Sequence, residues 1–118
     1  MSATIYASIG WGRRIKAHID EELIEKALAG FGKKNDIGYV QFEEGQVLCL
    51  GLQCHTQNHW EPTRERLNMD LPQNADALMS EACALLRDVL TEAGQPIPEE
   101  LQIVWKYDFG WWMGCEYC

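Results

Sequence analysis

The sequence has no apolar run approaching the ~20 residues that a membrane-spanning helix needs. Positive charge is scarce, with 10 Lys and Arg against 18 Asp and Glu and a net charge of −8. A chain this acidic is repelled by phosphate backbones, so direct nucleic-acid binding is not expected. A GxSxG elbow, an HExxH helix and a P-loop are all missing, and with them the common signatures of hydrolysis and phosphoryl transfer. The opening stretch MSATIYASIGWGRRIKAHID has its basic residues, Arg13, Arg14 and Lys16, after its apolar part. That is the reverse of a secretory signal and predicts a cytoplasmic protein. Five cysteines make an odd number, which does not suit a disulfide framework. In a reducing compartment they are free thiols or ligands.

What remains is ordinary globular composition, 47% hydrophobic, in a length that suits one domain over residues 1–118. ATIYASIGW alternates Ile5, Ala7, Ile9 and Trp11 against Thr4, Tyr6 and Ser8, the period of a strand, with Gly10 and Gly12 marking its end or a bulge. From Asp20 the period becomes helical through Leu23, Ile24, Ala27, Leu28 and Phe31. Asp20 is a suitable N-cap, Glu21 and Glu22 suit the first turn, and Gly30 or Gly32 a stop. DIGYVQFEEGQVLCLGLQCH reads as a hairpin turning at Glu44-Gly45. On its second strand Leu48, Leu50, Leu52 and Cys54 share the core face, leaving Cys49, Gly51, Gln53 and His55 on the other. A polar connection broken by Pro62 and Pro72 leads to a second helix over about 74–93, ended by Gly94 and Pro96. ELQIVWKYDF then alternates Leu101, Ile103, Trp105, Tyr107 and Phe109 as a last strand, ahead of an aromatic tail.

Strand, helix, strand, strand, helix, strand is the split βαβ order of a ferredoxin-like α+β fold (βαββαβ). It predicts a four-stranded antiparallel sheet with two helices on one face and a C-terminal aromatic tail. The architecture hosts many activities and implies none.

Three groups of residues are candidates for function. The first is a metal set: Cys115 and Cys118 have zinc-knuckle spacing, and His55, His59 and Cys49 are residue types that zinc accepts. One isolated CxxC is a weak motif, and scattered thiols and surface histidines explain the same residues without a metal. Its redox use is disfavoured, because Glu116 between the thiols raises their pKa. The second group is the helix-free sheet face, where Tyr6, Tyr39, Gln41 and Cys49 are expected. Two tyrosines are thin support for stacking on single-stranded RNA, and the charge is wrong for it. The third is an acidic surface. Glu81, Asp88 and Glu92 lie off the apolar stripe of the second helix, with Glu99 and Glu100 beyond it.

The expectation is a non-enzymatic protein, without cofactor, whose acidic side meets a basic surface on a macromolecular partner. Compact acidic single domains are common among toxin-neutralising immunity proteins and phage-encoded inhibitors of bacterial defence; the analogy is one of size and charge alone. Trp60, Trp111, Trp112 and Tyr117 are the aromatics expected to anchor the contact. The alternative is a zinc domain built on the tail cysteines. The tail poses its own question, since Trp111, Trp112 and Met113 left in water make an apolar patch. Either they fold back over the bare sheet face, or they meet a partner, including a second copy in a homodimer.

Overall fold

The computed structural model describes residues 5–43, 45–57, 70–102 and 109–117. Along the chain these form β1 (Ile5–Ile15), α1 (Glu21–Leu28), α2 (Phe31–Lys34), β2 (Ile37–Phe42), β3 (Val47–Gln57), α3 (Ala75–Glu92), α4 (Glu99–Gln102) and β4 (Gly110–Tyr117). The fold is α+β. Its strands make one antiparallel sheet in the order β2-β3-β1-β4. No helix among the described residues is long and apolar enough to cross a membrane.

Period-2 patterning fixes which sheet face meets the helices. Ile15, Ile37, Leu48, Leu50 and Leu52 are buried in one cluster with Ile24, Ala27 and Leu28 of α1 and Met79, Ala82, Cys83, Leu86 and Leu90 of α3. Both long helices therefore cover the same side. Asp20 caps α1 as its sequence predicts, its Oδ1 accepting the Glu22 N–H at 3.0 Å. At the end of α3, Gly94 takes φ +70°, and the Gln95 N–H returns to the Leu90 carbonyl at 2.9 Å. A left-handed residue that turns spare helix carbonyls inward is the usual reason for glycine there.

Four expectations are corrected. The strand-end reading of Gly10 and Gly12 falls and the bulge reading holds: the β1–β3 register shifts between Ile9 and Trp11, across Gly10, and β1 runs on to Ile15. The predicted last strand over 101–109 begins instead as α4, where fully buried Leu101 docks on the core; residues 103–108 lie outside the described residues. The last strand is β4, which pairs Gly110 with Gly12 and continues to Tyr117 opposite Ile5. Tyr39 and Gln41 belong to the helical side, because they pair with Leu50 and Leu48. The Tyr39 hydroxyl donates to Glu25 of α1 at 3.3 Å, and Gln41 Oε1 accepts the Ile19 N–H at 2.8 Å.

The fourth correction concerns Cys54. Between the pairs Ile9–His55 and Trp11–Leu52, β3 holds two residues where β1 holds one, a β-bulge at Gln53 and Cys54. Gln53 adopts φ +54°, its N–H bonds the Asp36 carbonyl at 2.9 Å, and its Nε2 bonds the Asp70 carbonyl at 2.5 Å. The extra residue reverses the alternation. Cys54 accordingly stands over Gly38, on the helix-free face with Cys49 rather than in the helical core.

Candidate functional site

Strand register lines up a row of glycines that no single strand reveals. Gly38 pairs with Gly51, Gly51 with Gly12, and Gly12 with Gly110, so one row across all four strands has no side chains. Trp112 exploits the gap. Cβ atoms added at Gly10 and Gly51 would lie 2.6 Å and 2.8 Å from its Cζ2, so both positions must stay bare for the indole to lie flat. Its Nε1 donates to the Leu50 carbonyl at 3.2 Å, giving the ring's one polar atom a partner.

The two edge strands also meet over the helix-free face. A Cβ at Gly114 of β4 would lie 2.6 Å from Cζ of Phe42 in β2. Edge strands of a flat four-stranded sheet lie about 14 Å apart, so the sheet is curled around its helix-free side. The bulge in β3 supplies such curvature. The predicted fold-back of the tail thus takes a particular form: Trp112 covers the face as part of a strand, while Trp111 and Met113 stay 44% and 76% exposed.

Thiols on this face and in the core are held neutral. Burial pushes Cys54 up to about 11, with smaller contributions from Cys49 and Asp36. Burial also raises Cys49, and the neighbouring Arg14 guanidinium pulls it part of the way back. In the helical core burial lifts Cys83 to about 12, against a smaller opposing effect of Arg13. None of the three is a poised nucleophile.

The predicted site residues separate into distinct places. Glu81, Asp88 and Glu92 are exposed on α3, within about 40° of one line and over roughly 16 Å of helix. Glu99 is exposed at the start of α4; Glu100 is half-buried and accepts the Lys16 N–H at 2.5 Å. Trp112, expected at a partner surface, is instead buried at 5% exposure, because the glycine row gives it a seat. Trp111 keeps an exposed ring. Trp60 lies outside the described residues, and Tyr117 is described only as a backbone position opposite Ile5.

Of the metal set, His59 and Cys118 lie outside the described residues, and His55 and Cys115 are described only as strand positions opposite Ile9 and Ala7. Among the described residues no three His, Cys, Asp or Glu are grouped to hold an ion. Residue spacing alone could not reveal the glycine row, because it exists only once all three strand registers are set. No protein-family model, curated protein or solved structure matches this chain.

Proposed function

We propose that this is a small non-enzymatic binding protein that docks a basic macromolecular surface on the acidic side of its helical layer, and so blocks that surface. The observation that carries the reading is the exposed line of Glu81, Asp88 and Glu92 on α3. Glu21, Glu22 and Glu25 on α1 extend it, since the two helices pack side by side and Lys26 of α1 reaches Glu92 at 4.0 Å. That ion pair is solvated and adds little stability; its relevance is that the two outer faces are contiguous. A field of one sign steers a basic partner and sets its orientation more than it adds raw affinity. The main elements run strand, helix, strand, strand, helix, strand, with the first and third strands central in the sheet. That order supports reading the fold as ferredoxin-like, with α2 and α4 as short additions.

The test is a triple reversal, Glu81→Lys, Asp88→Lys and Glu92→Lys. The expected outcome is an unchanged circular dichroism spectrum and loss of the partner that the parent chain captures from its native host. Equal capture by both chains, with the same salt dependence, would refute the reading.

A further inference from the structure

We propose that the cavity between the start of α1 and the end of α3 is a binding site for a small organic cation: one apolar ring or short chain carrying a primary ammonium group. The cavity measures about 400 Å³. Ile19, Leu23, Leu90 and Ile97 supply its apolar lining, and His18, Asp20 and Gln95 supply polar groups.

The walls are held in place by the chain around them. On one side Gln41 Oε1 accepts the Ile19 N–H at 2.8 Å. The Asp20 carbonyl then accepts the Leu23 and Ile24 N–H groups at 3.0 Å and 3.2 Å as α1 begins. On the other side Pro96-Ile97-Pro98 crosses from α3 to α4. The Gln95 N–H ties the start of this wall to the Leu90 carbonyl at 2.9 Å. Gln102 Nε2 donates to the Ile97 carbonyl, and the Leu101 N–H to the Pro98 carbonyl, both at 2.9 Å. The prolines fix φ along it. The cavity is therefore built before a ligand arrives, which lowers the cost of binding one.

Charge selects the ligand. Asp20 lines the cavity, and Glu21 and Glu22 follow it in the first turn of α1. These carboxylates together outweigh the charge of about +0.5 at a helix N-terminus. The 18-residue α3 ends at the same place, with no basic residue in its last turn. The charge of about −0.5 at a helix C-terminus is thus not offset from within α3. Both helix ends favour a cation. Oδ1 of Asp20 accepts the Glu22 N–H at 3.0 Å, and a carboxylate has acceptor sites beyond one such bond. An ammonium group brings several donors to them. Ile19 and Leu90 are buried and give the ligand's body an apolar floor. The volume lies at the lower end of the ~300–1,000 Å³ of small-molecule sites, which favours one ring with a short arm.

Phenethylamine, phenethyl alcohol and phenylacetate are the probes, titrated calorimetrically into the full chain near neutral pH. They share a ring and a short arm and differ in charge. Phenethylamine is expected to bind saturably, at least about tenfold more tightly than phenethyl alcohol, with phenylacetate weaker still. Backbone amide resonances of Ile19, Leu23, Leu90 and Ile97 are expected to shift with the same saturation curve. Asp20→Asn removes the charge but keeps a residue that caps helices as well as aspartate does. It is expected to weaken phenethylamine by about tenfold or more with an unchanged melting temperature. Phenethyl alcohol binding as tightly as phenethylamine, full affinity retained in Asp20→Asn, or shifts confined to other residues would overturn the proposal. The probes bind without a macromolecular partner, so failure of the acidic-face reading and failure of this one are separable.

Discussion

Trp111 and Trp112 are adjacent in sequence but occupy opposite environments, and truncating each to alanine measures that difference. Trp112 is 5% exposed and Trp111 44%. A buried aromatic side chain withdraws about 150–250 Å² from water. At ~25 cal/mol per Å² this is worth about 4–6 kcal/mol. Unfolded chains already bury part of that area, which lowers the figure to about 3–5 kcal/mol, in line with aromatic-to-alanine changes in cores. Removing Nε1 also costs the Leu50 carbonyl its side-chain donor. Trp111→Ala gives up a partly solvated ring and is expected to cost about 1 kcal/mol.

Equilibrium urea unfolding followed by far-ultraviolet circular dichroism is the appropriate assay, because both changes remove a fluorophore. A domain of this size loses about 4 °C of Tm per kcal/mol, so Trp112→Ala is expected to melt more than about 10 °C below the parent. Adding Gly51→Ala makes the reasoning sharper. Its Cβ would lie 2.8 Å from Cζ2 and 3.1 Å from Nε1 of Trp112, so alone it should cost about 1–3 kcal/mol. With Trp112→Ala already present, the clash is gone and most of that cost should vanish, a coupling that a double-mutant cycle reads directly. Equal costs for the two tryptophan truncations, or strict additivity with Gly51→Ala, would show that the indole does not seal this face.

Two further predictions rest on other parts of the molecule. Gly30 has φ −98° and nothing within 4 Å of an added Cβ, whereas a Cβ at Gly32 would meet Leu28 Cβ at 2.7 Å. Gly30→Ala is therefore expected to be neutral or to stabilise by about 0.4–1 kcal/mol. Gly32→Ala should destabilise by about 1–3 kcal/mol, both read as Tm shifts. The buried thiols predict a loss of stability in base. Folding raises Cys83 from its ordinary 9.0 to about 12 and Cys54 from 9.0 to about 11. Above pH 9 the unfolded chain releases these protons first, so the folded state binds more of them. Stability that is whole below pH 9 then falls with rising pH, by up to ~1.4 kcal/mol per pH unit for each thiol. Denaturant midpoints between pH 8 and pH 11 check this. Cys83→Ala should flatten the slope, and an unaltered slope would remove Cys83 as its source.

Much of this architecture is legible from periodicity. The leucines of β3 face the helices because Leu48, Leu50 and Leu52 alternate without interruption. Both long helices appear near their predicted bounds, since Asp20 starts one and Gly94 ends the other. The acidic line on α3 was equally accessible, because helical spacing alone places Glu81, Asp88 and Glu92 together. Tyr39 was not: within a short hairpin strand, the inward face is set by register against Leu50 and not by polarity.

The features that periodicity misses share one cause, a change of phase in a strand. Alternation carries information about facing only while each residue advances the pleat by one step. At Gln53 the backbone turns to φ +54°, held by Asp36 and Asp70, and every later residue of β3 changes sides. Nothing in the side chain of Gln53 announces this, since glutamine is not a residue that favours a left-handed conformation. Cys49 and Cys54, apparently on opposite faces by counting, therefore share one. The tail resists reading for a related reason. The alternation read over 101–109 suggests a strand from Leu101, yet Leu101 lies in α4, and β4 runs from Gly110 with its phase set by pairing Gly110 with Gly12. Once that pair is fixed, Gly38, Gly51, Gly12 and Gly110 fall into line and Trp112 has only one bare surface to cover. The glycine row and the buried tryptophan thus follow together from strand register, so a register slip in β4 would abolish both at once.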